Sequence, residues 1–268
     1  MRELLICWAT IMLGALCPFI VFGLVIEGVY RLIFRLLDKR SGRALWRVSS
    51  LLGTPAHEAG HALMCLLFAH RIEGVRLLPT RQGNAMVQHS YNKRNPYAVL
   101  GNLFIGLGPV FLILALIYGV LRGTFPHAMQ TYRAALSEAV AVGVSGNEIR
   151  AYMFAFFKGL FTEQTRALWV RVVALLVLLC LAPHVRLSTA DVRSMCLGLP
   201  LFCLLAALVS LGVTLSGPTV VQAVQGMMLQ AVTVCCALLA LVLAIVVIQL
   251  FAALVFRLIG TALRRIFR

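Results

Sequence analysis

Long apolar blocks dominate this chain, separated by shorter stretches where polar and charged residues collect. The blocks cover roughly residues 4–30, 48–70, 98–121, 167–183, 195–215 and 227–257. Most reach or exceed the roughly 18 apolar residues that a bilayer-spanning helix needs. They run on without the strict alternation of apolar and polar positions that membrane barrel strands show. The pattern predicts an all-α polytopic membrane protein with about six transmembrane helices.

The polar intervals add detail. "YRLIFRLLDKRSGRALWRV" interleaves basic residues with Leu, Ile, Phe and Trp, as helices lying on a membrane surface do. It predicts an interfacial helix after the first block. Residues 71–97 differ in kind: "GVRLLP" and "NAMVQHSY" are strand-like and flank Arg81-Gln82-Gly83-Asn84, whose Gly and Asn suit a turn. A small β-hairpin is expected directly after the second span. The longest connection, 122–166, includes the amphipathic "NEIRAYMFAFFKGLF" and predicts one or two helices against the membrane. Three regions follow: 1–47, the first span and interfacial helix; 48–215, a membrane core; and 216–268, the last span with a basic tail.

Composition strengthens this picture. The 268 residues are 61% hydrophobic and 12% charged, with a mean hydropathy of +0.95, well outside the range of soluble domains. The net charge of +15 could suggest nucleic acid, but the basic residues lie between apolar blocks rather than on one soluble face. Anchoring to anionic lipid explains them better, and no nucleic-acid partner is expected. Lys and Arg are nearly balanced between the two sides of a six-span arrangement; the basic tail favours cytoplasmic termini. The N-terminal block is too long for a signal-peptide core and reads as a retained span. The eight cysteines fall almost entirely inside apolar blocks without a CxxC pair. They read as small packing residues rather than as a disulfide or thiolate-zinc framework.

Candidate chemistry concentrates in "GTPAHEAGHALM", residues 53–64. His57-Glu58-Ala59-Gly60-His61 fits HExxH. On a helix, positions four apart share a face, so both imidazoles can ligate one Zn²⁺. Glu58 then stands beside the metal as a general base. Ionisable groups at membrane depth are costly and usually functional. Ala59 and Gly60 are small enough for another backbone to approach the metal face. The competing reading is a pair of packed, hydrogen-bonded histidines, which leaves the adjacent Glu58 unexplained.

An HExxH helix in a membrane span, followed by a hairpin, a span bearing Gly108-Pro109 and a later Asp, resembles the site-2 protease family of intramembrane zinc metalloproteases. The resemblance covers roughly 48–215, and "HEAGH" is its specific part. It implies His57 and His61 as zinc ligands, Glu58 as base and Asp191, in "RLSTADVRSM", as third ligand. It also implies an active site open to the cytosol and a hairpin that holds the substrate strand, which points to Gly83, Asn84 and Val87, with Asn102 as a further substrate contact. Two departures stand out. Asp191 is not in an LDG-like setting, and Asn102 precedes Gly108-Pro109, where the family's Asn follows the Pro.

The residues leave alternatives open. Ser188-x-x-Asp191 also fits a helix-capping box. Glu138, Glu148, Glu163 and His184 compete for the third ligand position. Glu27 and Arg31, one turn apart, are expected to pair. His70 and His89 flank the hairpin and read as solvated, and Gly101, Gly106 and Gly108 as sites of close helix packing. The resulting expectation is an integral protein, placed in the cell membrane, that hydrolyses a peptide bond of a membrane-protein or membrane-bound peptide substrate. The alternative is a non-proteolytic zinc-binding membrane protein, a regulator or carrier. Beyond Glu27, Glu58 and Arg171 few intramembrane ionisable residues exist, which counts against a carrier.

Overall fold

The computed structural model describes residues 2–37, 39–79, 85–142, 146–162 and 164–266; within these, side chains are described at all but 39–40, 135–136, 139–142, 146–153 and 263–266. In chain order the elements are α1 (Arg2–Leu36), α2 (Lys39–Leu67), β1 (Arg71–Arg76), β2 (Met86–Ser90), α3 (Pro96–Thr124), α4 (Pro126–Val142), α5 (Gly146–Thr162), α6 (Leu168–Leu181), a 3₁₀ turn (Ala182–Val185), α7 (Thr189–Leu215) and α8 (Pro218–Ile266). The architecture is that of a helical membrane protein.

Among the described residues, five helical segments are long and apolar enough to cross a membrane: α1, α3, α6 with its 3₁₀ turn, α7 and most of α8. Leu13, Leu116, Leu176, Leu208 and Phe251, one on each, are exposed, as side chains facing lipid would be. The count corrects the expected six. The 48–70 block is helical but belongs to α2, which is not one of the five. Its first half carries Lys39, Arg40, Arg43 and Arg47, and its second half Ser49, Ser50, Thr54, His57, Glu58 and His61. The expected interfacial helix is also redistributed: the first part of the basic stretch, with Arg31 and Arg35, ends α1 at Leu36, and the later part becomes the opening turns of α2.

α3 is the central helix. Leu103, Ile105, Leu107, Val110, Ile113, Ile117 and Leu121 are all essentially inaccessible, so much of its length is buried among other elements. Asn95 caps its start, accepting from the Tyr97 amide at 3.1 Å, and Pro96 occupies the first turn, where its missing N–H costs nothing. α2 and α7 pack against α3, and α1 packs along α8. The 122–166 connection forms two helices, α4 and α5, which meet through Tyr132 and Phe156 with ring centroids 5.5 Å apart.

The close contacts use glycine. A Cβ on Gly60 would lie 2.6 Å from the Cα and N of Pro109, so α2 and α3 touch backbone to backbone. A Cβ on Gly106 would lie 2.6 Å from the Asp191 carbonyl, bringing α7 equally close on another face of α3. The expected hairpin is present as an antiparallel pair, β1 with β2, in which Val75 faces Val87 and an irregularity falls between Ile72 and Gly74. Its first strand begins earlier than "GVRLLP" predicts. Gly83 and Asn84 lie outside the described residues.

Candidate metal centre

Two elements, α2 and α7, bring one group of side chains together. His57 and His61 stand one turn apart on α2, with ring centroids 5.0 Å apart and planes at 79°. Asp191 comes from the first turn of α7. Its Oδ1 lies 3.0 Å from His61 Nε2 and its Oδ2 3.7 Å from His57 Nε2. These separations bracket the ~3.4 Å expected between N and O ligands at about 2.1 Å from a tetrahedral Zn²⁺.

The remaining ring nitrogens fix the tautomers. His57 Nδ1 is 3.0 Å from the His184 carbonyl and His61 Nδ1 is 2.8 Å from the Ile105 carbonyl. A carbonyl only accepts, so each Nδ1 carries the hydrogen and donates. Each neutral ring then turns an Nε2 lone pair towards the Asp191 carboxylate, itself an acceptor. With both rings neutral, lone pairs facing one another at 3.0 Å repel; a proton on His61 Nε2, donated to Asp191 Oδ1, removes the repulsion, and so does a cation among the three donors. Metal-ligating histidines are commonly oriented by an outer hydrogen bond of this kind. The three donors could hold a metal ion between them.

Capping and ligand positioning coexist at Asp191. Ser188 Oγ accepts from the Asp191 amide at 3.2 Å, and Asp191 Oδ2 accepts from the Ser188 amide at 2.7 Å. That is a complete capping box at the start of α7. The box leaves Oδ1 directed at His61, so the two readings describe one geometry. His184, the alternative ligand, lies behind His57 instead, and it is buried. Its Nδ1 donates to the Cys180 carbonyl at 3.0 Å and its own carbonyl receives His57. Gly53 leaves space for this ring, which a Cβ would overlap. The side chains of Glu148 and Glu163 lie outside the described residues, and Glu138, on α4, does not line the cavity described next.

A cavity of ≈ 620 Å³ opens onto the three donors, with Glu58, Val87, His89 and Arg186 also on its wall. Arg186 is held there by Glu27 Oε2 at 3.1 Å and by the Tyr30 ring, 4.4 Å below its guanidinium. Glu27 also pairs with Arg31 at 2.7 Å, as its spacing predicts. Asn102, expected as a substrate contact, lies away from this cavity. It is buried, and its amide donates to the Val99 carbonyl at 3.1 Å.

Sequence reasoning missed a neighbouring cluster. His70 is buried rather than solvated, its Nδ1 3.0 Å from His89 Nδ1, with Cys65 beside the pair. Burial and the adjacent His70 ring push the His89 imidazole below the ordinary histidine range. The signal available in the sequence was Cys65 four residues beyond His61, on the same face of α2. The chain matches no family model, no curated protein and no solved structure.

Proposed function

We propose that the chain is an intramembrane zinc metalloprotease of the site-2 protease kind, cutting a peptide bond of a membrane-protein or membrane-bound peptide substrate. The observation that carries this reading is the convergence of His57 Nε2, His61 Nε2 and the Asp191 carboxylate on a cavity whose wall includes Glu58. A bound zinc ion would supply Lewis acidity and a water of lowered pKa. His57, His61 and Asp191 would hold it, leaving a further position for water or substrate. Glu58 accepts a proton from the attacking water and returns it to the leaving nitrogen as the peptide bond breaks. The Arg186 guanidinium puts fixed positive charge on the same wall.

A substrate helix has every carbonyl hydrogen-bonded internally, so it must unwind before attack. An unwound segment can lie extended along the hairpin, with β2 and Val87 forming that side of the cavity. The polar lining of the cavity gives water a path to Glu58. The cell membrane is the proposed location, with the cavity towards the cytoplasm, following the basic tail.

The test profiles new N-termini of membrane proteins in membranes carrying the chain. Glu58→Gln should leave zinc content unchanged and lower cleavage by about 10²–10⁴-fold, the usual contribution of a general base. Equal cleavage by the variant would remove Glu58 from its role. Stoichiometric zinc with no cleavage by the unaltered protein would favour a non-proteolytic zinc-binding membrane protein.

A further inference from the structure

We propose that Cys65, His70 and His89 form a second metal site, separate from His57, His61 and Asp191, that binds a zinc-class divalent cation and clamps the β-hairpin to the end of α2. The donor atoms, one thiol and two imidazole nitrogens, lie within 4.8 Å of one another. Tetrahedral zinc ligands at about 2.0–2.3 Å from the ion stand ~3.3–3.6 Å apart, so closure requires a shift of about an ångström. A single thiolate with two imidazoles suits zinc and leaves a fourth place for water.

Local structure aims these groups at one another. His70 Nε2 is 2.7 Å from the Ala98 carbonyl, so it carries the ring hydrogen and leaves a lone pair on Nδ1. This is the same outer-carbonyl arrangement seen at His57 and His61. α2 ends through Ala69 in a left-handed conformation, φ 57°, and the His70 amide returns to the Cys65 carbonyl at 2.9 Å. Glycine is the usual residue for that conformation, and an alanine there is strained. The strain is spent on folding His70 back beside Cys65, which is wholly buried. Gly101 leaves space chiefly for Phe68, which an added Cβ would overlap, with His70 Nε2 3.1 Å from the same point. The Tyr91 ring stacks on the other side of His70 at 4.7 Å.

Without metal, His89 Nδ1–H donates to His70 Nδ1 across 3.0 Å. The cation replaces that hydrogen, His89 carries its own at Nε2, and the Cys65 thiol releases its proton to solvent on becoming a thiolate. His89 belongs to β2 and lines the cavity, so the ion would hold the strand beside the first centre. This site stands whether or not the chain cleaves peptides.

Its test uses the full chain purified in detergent and loaded with Co²⁺ or Zn²⁺. Cobalt bound by a thiolate absorbs in the near ultraviolet through sulfur-to-metal charge transfer, which a site of two histidines and an aspartate cannot produce. The unaltered protein should show this band, and so should the His57→Ala/His61→Ala variant. Cys65→Ser and His89→Ala should each abolish the band and halve the zinc bound per chain, while Cys180→Ser leaves both unchanged. His89 is only partly buried, so His89→Ala decides the matter if Cys65→Ser fails to fold. Absence of the band from the unaltered protein, or its survival in His89→Ala, overturns the proposal. Failure of the first centre instead appears as zinc content unaffected by His57→Ala/His61→Ala.

Discussion

Replacing Asp191 with Asn separates ligand from cap within one side chain. The carboxylate uses Oδ2 to accept from the Ser188 amide at 2.7 Å and turns Oδ1 to His61 Nε2 at 3.0 Å. An Asn has one oxygen and one NH₂. The NH₂ cannot face the Ser188 N–H, so the oxygen stays in the capping box. That points the NH₂ at the His61 lone pair, 3.0 Å from where Oδ1 stood, and a donor meets an acceptor there. A neutral hydrogen bond contributes about 1 kcal/mol net, so the metal-free stabilities of variant and unaltered protein should agree to within ~1 kcal/mol. Their zinc responses should diverge. At zinc near 100 times the Kd, binding adds about 2.7 kcal/mol to the unaltered protein. The variant has lost an anionic ligand. Outer-sphere losses alone lower affinity about 10–100-fold, so it should lose at least the upper figure. The assay is denaturant or thermal unfolding in detergent with and without zinc, beside competition against a chromophoric chelator. An Asp191→Asn protein that binds zinc within tenfold of the unaltered protein would refute the ligand role. One that unfolds readily without metal would refute the argument that the amide satisfies both neighbours.

Two other substitutions test the packing that positions the centre. Gly60→Ala drives a Cβ against the Pro109 backbone at 2.6 Å; neither backbone can turn aside, so unfolding measurements should show a loss at the upper end of the ~1–3 kcal/mol typical of overpacking, with zinc binding weakened as α2 shifts. Ser188→Ala removes the cap acceptor for the Asp191 amide but keeps the Ser188 amide that holds Oδ2; stability should fall by about 1 kcal/mol, and chelator competition should find zinc affinity changed by less than tenfold.

What the sequence revealed follows from how local each feature is. His57, Glu58 and His61 were readable because helical periodicity alone puts the two imidazoles on one face. Asp191 was readable only as one candidate among several, because α7 is brought to α2 through their shared contact with α3, at Gly60 and Gly106. The five apolar spans were legible from composition, whereas the 48–70 block was overread: an HExxH helix with a basic start is too polar to meet the same test. Asn102 turns its amide to the preceding turn rather than to the cavity, and no residue pattern announces that. The Cys65, His70 and His89 group depends on a left-handed turn at Ala69, a conformation that alanine rarely signals.

α8 has a consequence for the membrane itself. Its residues 231–256 carry no charge, and at 1.5 Å per residue they make an apolar rod of about 39 Å. The hydrocarbon layer is about 30 Å thick. An upright rod of that length mismatches the bilayer, and the mismatch is relieved by tilt or by locally thicker lipid. α1 packs along α8, so the first and last helices lean together. Bilayer thickness thereby becomes a mechanical input to this fold: a thinner membrane increases the lean of the pair, and a thicker one lets it stand.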